Sequence, residues 1–198
     1  MIEIVLTGSI GMGKSTTAKL FADAGIPGFD ADACVHALYA VGGEAVAPIQ
    51  AAFPTAVIAG EVDRSLLAKR LAEQPKRFAV LESIVHPLVA QKRAEWTIRQ
   101  KNQGTKIVLY DIPLYFEGGT KLKVDFVVLV SAPADVQRAR VLARDGMSVE
   151  KFTQILAKQL PDAQKRKKSD YVITTDTGIA DARLQVAAIL RHMGETNQ

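Results

Sequence analysis

The sequence predicts an α/β fold built on a doubly wound parallel sheet, and three observations carry that reading. Short apolar runs rich in Val and Ile alternate with longer amphipathic stretches along the 198 residues. The runs are continuous rather than alternating in polarity, as strands covered by helices on both faces require. No internal repeat, low-complexity tract or Pro/Gly/Ser linker breaks the series, so one α/β core with a modest insertion is expected.

Taken in order, the first run is Ile2 to Leu6. It leads into a glycine loop and then a helical segment, Thr16 to Asp23. The second, Ile26 to Phe29, is weak because Pro27 and Gly28 interrupt it, and it ends at Asp30-Ala31-Asp32. The interval from Asp30 to Ile107 is then far longer than the dozen or so residues a crossover between parallel strands needs. It shows helical spacing and no convincing strand. Arg64 to Leu71 and Phe78 to Trp96 read as helices, with His86-Pro87 starting a new turn. Two readings stand for this interval: helices that thicken the core, or a helical lobe beside the glycine loop that holds a second ligand. The runs Ile107 to Tyr110, Phe126 to Val130 and Tyr171 to Ile173 complete a set of five strands. Val186, Ile189, Leu190 and Met193 follow the spacing of one helical face, so a last helix closes the core and carries no chemistry. Trp96 is expected in the core and His192 on the surface.

Composition narrows the function classes. The chain is 48% hydrophobic and 23% charged, enough for a buried core. No run approaches the roughly 18 apolar residues of a membrane span. The start, Met1-Ile2-Glu3-Ile4-Val5-Leu6, lacks the basic, longer apolar pattern of a secretory signal. One cysteine, Cys34, permits no internal disulfide and suits a reducing compartment, so a cytoplasmic location is expected. The net charge of +4, from 25 basic and 21 acidic residues, fits either nucleic acid or a polyanionic small molecule. His36, His86 and His192 form no metal-ligand spacing with Cys, Asp or Glu, which argues against structural zinc.

The strongest signal is Gly8-Ser9-Ile10-Gly11-Met12-Gly13-Lys14-Ser15, a full G-x-x-x-x-G-K-[ST] match. Glycines let the backbone take positive φ and bring N–H groups against phosphate oxygens. Lys14 is placed for the β- and γ-phosphates of ATP and the Ser15 hydroxyl for Mg²⁺, and the helix that starts near Ser15 points its positive dipole end at the anion. Average residue usage gives this pattern by chance in roughly one such chain in a hundred. The preceding strand and following helix supply the right context, so nucleotide binding is expected.

Acids at strand ends come next. Asp30 and Asp32, two apart in an extended segment, would point to the same side of the crevice. Asp32 is the candidate base for an attacking hydroxyl, with Asp30 supporting it or touching the metal shell; the competing reading makes Asp32 the N-cap of the next helix. Asp111 ends a strand and reads as the acid that holds a water on Mg²⁺ or meets the acceptor, against a plain turn aspartate before Pro113. Arg138, Arg140 and Arg144 follow the fourth strand. Arg140 and Arg144 share a helix face, and arginines on a lid suit ATP phosphates. Lys165-Arg166-Lys167-Lys168 reads as a solvated helix end.

Together these residues resemble one family closely. The phosphate loop, Asp30-Ala31-Asp32, Val62-Asp63-Arg64, His86-Pro87, Asp111-Ile112-Pro113-Leu114-Tyr115-Phe116-Glu117 and the segment Gln137 to Gln159 occur in the order seen in dephospho-CoA kinases. The resemblance covers nearly the whole chain. It implies a P-loop NTPase fold of the nucleoside-monophosphate-kinase kind: a five-stranded parallel sheet flanked by helices, a helical acceptor lobe and a lid. It implies transfer of the ATP γ-phosphoryl group to the ribose 3′-hydroxyl of dephospho-CoA, the last step of coenzyme A synthesis. It assigns ATP to Lys14 together with Gly11, Met12, Gly13, Ser15 and Thr16, catalysis to Asp32, Lys14 and Arg140, and acceptor binding to Asp32, His36, Arg64, His86 and Asp111. The expected division is a core over about 1–32 and 105–198, an acceptor lobe over about 33–104 and a lid over about 138–168. A monomer that binds neither nucleic acid nor membrane is expected.

Three positions depart from the family pattern. Ser9 stands where a second glycine is frequent, and His36 where many members carry arginine. The segment Thr174-Thr175-Asp176-Thr177-Gly178 stands where Asn and Gly are usual near adenine, so no role is assigned there. The nearest alternative is another small-molecule kinase such as one acting on shikimate, but Gly118-Gly119 falls short of a triple-glycine acceptor motif and the His-Pro pair has no place there. A guanine-nucleotide switch lacks its N-K-x-D motif, since Asn102 precedes Gln103-Gly104. A nucleic-acid-binding protein would show affinity that falls steeply with salt.

Overall fold

The computed structural model describes residues 1–118 and 122–195 and divides into two compact units, Met1–Phe29 with Thr105–Gln198, and Asp30–Gly104. In chain order the elements are β1 (Ile2–Thr7), α1 (Lys14–Asp23), β2 (Gly28–Asp30), α2 (Ala31–Tyr39), α3 (Val46–Ala52), β3 (Val57–Ile58), β4 (Glu61–Val62), α4 (Arg64–Glu73) and α5 (Phe78–Asn102). They continue as β5 (Ile107–Asp111), β6 (Phe126–Ser131), α6 (Ala134–Leu142), α7 (Val149–Ala157), α8 (Asp162–Arg166), β7 (Tyr171–Thr174) and α9 (Ile179–Glu195).

The first unit is built on a five-stranded sheet in the order β2-β5-β1-β6-β7. Strand β1 runs parallel to β5, with Leu6 opposite Asp111, and parallel to β6, which in turn runs parallel to β7. Ile4, Val5, Leu6 and Thr7 are wholly buried, as are Val128 to Ser131 on β6. That is the reason these runs read as unbroken apolar stretches: both faces are covered. The core joins Ile4, Leu6, Phe21, Val128 and Ile173 to the inner face of α9, where Val186, Ile189 and Met193 lie as the spacing predicts. Each such fully buried aliphatic contributes on the order of 1.5–3 kcal/mol.

The second unit has its own apolar cluster, formed by Leu38, Ile49, Phe53, Leu67, Leu71 and Val85 with neighbours on α5. Two features there differ from expectation. Val57–Ile58 and Glu61–Val62 form a hairpin that the sequence did not announce. Its two-residue turn, Ala59-Gly60, holds both residues at positive φ, 51° and 82°, the geometry that matches the twist of paired strands. Alanine is a rare occupant of that region, and strands of two residues leave no periodicity to read. Likewise, α5 runs unbroken through His86-Pro87 instead of starting a new turn. A proline removes one helical hydrogen bond, but Leu81, Ile84, Val85, Leu88 and Val89 pack on the cluster from both sides of it, and the helix continues. Trp96, expected in the core, is only half-buried, because the part of α5 that packs on the cluster spans Leu81 to Val89. His192 is exposed, its Nδ1 2.7 Å from the Tyr171 hydroxyl. Strand β2 starts at Gly28 and includes Asp30, later than the weak apolar run suggests, with Pro27 accepting the Leu109 N–H at 3.0 Å. Among the described residues no helix is long and apolar enough to cross a membrane.

Candidate active site

The loop after β1 lies at the carboxyl end of the central strand, where the sheet order turns from β5 to β6. Open α/β sheets bind ligands at such a switch point. Gly11 and Gly13 have φ of 77° and 92°. A Cβ on Gly11 would come within 2.5 Å of Val141 Cγ2, so α6 packs too closely there for any side chain. Gly13 is the N-cap of α1 and brings no side-chain cap. The first-turn amides are thus open to an anion, with the helix dipole behind them.

Lys14 forms an ion pair with Asp111, both side chains largely covered. The register places Asp111 beside Leu6 of β1, so the strand-end acid and the loop lysine share one spot. A cavity of about 360 Å³ is lined by Gly11, Gly13, Thr16, Thr17, Arg140, Arg144, Thr175, Gly178, Ile179 and Ala182. Arg140 and Arg144 both reach it, although α6 ends at Leu142 and Arg144 lies beyond the cap at Ala143. Arg140 Nη1 donates to Thr175 Oγ1 at 2.8 Å and Nη2 to Thr175 O at 2.6 Å. Thr175 Oγ1 in turn donates to Met12 O at 2.8 Å. The segment left without a role in the sequence therefore forms the cavity wall. The signal available was its Thr- and Gly-rich turn between β7 and α9; the partner of Thr175 was not readable.

The basic run at 165–168 is a correction. Lys165 is wholly buried, its Nζ 2.7 Å from Glu117 Oε1, close enough to pair although not aligned as a hydrogen bond. Glu117 Oε1 also accepts the Leu160 N–H at 2.8 Å. Arg166 donates to Asp162 and Ser131. Arg166, Lys167 and Lys168 are all exposed. The solvated-end reading thus fails for the first residue, since successive helical positions face different directions.

Within the second unit, Asp30 is the N-cap of α2, its Oδ1 accepting from Ala33 N at 2.9 Å. Asp32 is an exposed residue of the first helical turn. The two acids do not share an extended segment as expected: the strand ends between them, and the cap role falls to Asp30. Arg64 opens α4 just after its N-cap, Asp63, which accepts from Ser65 N and Leu66 N. Arg64 Nη1 contacts the His36 ring, 3.4 Å from Nδ1 and closer still to Nε2. His86 is exposed midway along α5. The Cys34 thiol is pushed up by burial, more than Lys92 pulls it down, so it is protonated at neutral pH. Among the described residues no group of three or more His, Cys, Asp or Glu could hold a metal ion by itself.

Comparisons with known proteins agree on one family. The family model described as dephospho-CoA kinase (CoaE) matches residues 2–181. A Rhizobium etli protein named dephospho-CoA kinase is 51% identical over 193 residues, covering 98% of this chain and 94% of its own length. One of the same name from Agrobacterium fabrum is 50% identical over 194 residues, covering 98% and 99%. A solved Thermus thermophilus structure superposes with a TM-score of 0.83 at 33% identity, covering 96% of this chain and 97% of that one. The dephospho-CoA kinase from Campylobacter jejuni, at 23% identity, shares the fold with a TM-score of 0.73 over 99% and 98% of the two chains.

Proposed function

Because this chain belongs to the dephospho-CoA kinase family, we propose that its site moves the γ-phosphoryl group of ATP to the ribose 3′-hydroxyl of dephospho-CoA. CoA and ADP are the products. One observation carries the reading beyond the family: the cavity behind the glycine loop brings Arg140 and Arg144 to the open amides of α1. Backbone N–H groups and guanidinium forks are a donor set for a polyphosphate.

Lys14 and the Gly11–Thr16 backbone hold the phosphate chain, and Lys14 exchanges its pairing with Asp111 for the β- and γ-oxygens. Arg140, held in the cavity wall by Thr175, meets the charge that spreads over the transferred group, with Arg144 beside it. The Ser15 hydroxyl, exposed in the first turn of α1, and the Asp111 carboxylate are hard oxygen donors that suit Mg²⁺, Asp111 through water. Bound there, the ion would neutralise charge on the β- and γ-phosphates. It needs no dedicated protein cage, since Mg²⁺ keeps several waters and substrate oxygens.

In the unit Asp30–Gly104, the acceptor lobe in this reading, Asp32 accepts the proton of the attacking hydroxyl. His36, Arg64 and His86 bind the acceptor. The transition state is loose, so positioning and charge neutralisation outweigh base strength. A cytoplasmic monomer is part of the same proposal, and Cys34 as the one thiol suits a reducing compartment. The test is ADP formation from ATP-Mg²⁺ with dephospho-CoA, shikimate or nucleoside monophosphates offered separately. Turnover with dephospho-CoA alone is expected; turnover confined to another acceptor would refute the substrate while sparing the phosphate cradle.

A further inference from the structure

Ile10, inside the glycine loop, has both ends of its main-chain polarity held by a side-chain carboxamide. Its N–H donates to Gln159 Oε1 at 3.2 Å, and its C=O accepts from Gln137 Nε2 at 2.7 Å. The partners dictate which end each carboxamide presents: an N–H is met only by oxygen, a C=O only by the NH₂ group. Gln137 lies on α6, 5% exposed, one turn before Arg140. Gln159 lies in the connection between α7 and α8. Its neighbour Leu160 is tied to Glu117 in the segment after β5, and Asp162 accepts from Ser131 at the end of β6. This connection and the start of α8 therefore touch the segments that follow β1 and β5 and the last residue of β6.

We propose that Gln137 and Gln159 are positioning residues that preset the glycine loop for the ATP phosphates, with Gln159 coupling that loop to the α7–α8 segment. The inference rests on the reading of the loop as the ATP cradle. Gly11 and Gly13 give the loop its conformational freedom, and a flexible binding segment loses affinity when it must be ordered by its ligand. Fixing Ile10 on both sides removes that freedom immediately before the amides that meet phosphate. Both glutamines act through the main chain of Ile10 and neither lines the cavity beside Arg140 and Arg144, so their effect belongs to nucleotide binding more than to the acceptor.

The two carboxamides act with opposite polarity, which yields a test that general destabilisation cannot imitate. Steady-state kinetics with ATP and dephospho-CoA varied in turn would be measured for Gln159→Met, Gln159→Glu, Gln137→Met and Gln137→Glu, each checked by thermal melting. Gln159→Met is expected to raise the KM for ATP about 5- to 50-fold with the acceptor KM within about twofold. Gln159→Glu keeps an acceptor toward the Ile10 N–H and recovers most of that loss. At position 137 the order reverses, because a carboxylate facing a carbonyl cannot donate. Added negative charge works against ATP at both positions, so recovery at 159 is the demanding outcome. If the buried Gln137 variants do not fold, the pair at half-buried Gln159 decides the matter. A wild-type ATP KM in Gln159→Met, equal rises in both KM values, or no recovery in Gln159→Glu would overturn the proposal. Lys14→Ala, run alongside, separates the two claims: normal ATP KM there would overturn the cradle itself, whereas its loss beside a normal Gln159→Met would overturn only the role of the glutamines.

Discussion

Lys165 shows what a single side chain adds to a charge run. Four consecutive basic residues read as one solvated patch, yet the first is wholly buried against Glu117 while the last two face water. Removing one partner of a buried pair leaves the other charge without compensation, which costs about 3–5 kcal/mol. Lys165→Met should lower unfolding free energy by that order in urea titrations, and Lys165→Met with Glu117→Gln should recover most of it. If the single and double variants lose equally, the pair is not what matters at this position. Asp32 belongs to the same scale. As the proposed base it contributes through proton acceptance, so Asp32→Asn should lower kcat roughly 10²- to 10⁴-fold while ATP affinity stays near wild type. Loss of ATP binding in that variant would move Asp32 out of the acceptor site. Position in the chain left Asp32 and its cap role evenly matched; the bond from Ala33 N to Asp30 assigns the cap to the neighbour instead.

At the scale of elements, local chemistry was legible where several residues voted together. The five strands, the helix after the glycine loop (read from Thr16 and found from Lys14) and the apolar face of α9 all follow from patterns spanning a turn or more. The hairpin β3–β4 did not, because two-residue strands joined by Ala-Gly carry almost no signal. Pro87 misled for a different reason: propensity predicts a break, and packing on both sides of it overrides propensity. Val62-Asp63-Arg64 divides into a structural and a proposed ligand part. Asp63 caps α4 through two amides, so Asp63→Ala should cost about 1 kcal/mol of stability, seen as a lower Tm. A cap substitution that leaves Tm unchanged while raising the KM for dephospho-CoA would assign Asp63 to the acceptor instead.

For the whole molecule, two of the 25 basic side chains, Arg140 and Arg144, line one cavity. A ligand that binds only the folded state stabilises it by mass action, by about 2.7 kcal/mol at one hundred times its Kd. ATP-Mg²⁺ should therefore raise Tm in a concentration-dependent way, and Lys14→Ala should abolish most of the rise. A melting curve indifferent to nucleotide would contradict the cradle.

By itself the sequence determined the α/β core, the glycine loop between a strand and a helix, the strand-end position of Asp111 and the family, because each rests on recognisable residue types in a fixed order. Only the tertiary structure decided that Arg140 is held by Thr175, that Lys165 turns inward to Glu117, and that Gln137 and Gln159 clasp Ile10. Those partners lie far apart along the chain. Which of them meet depends on how helices pack on the sheet and which way each side chain faces once they do, and neither is encoded in any local run of residues.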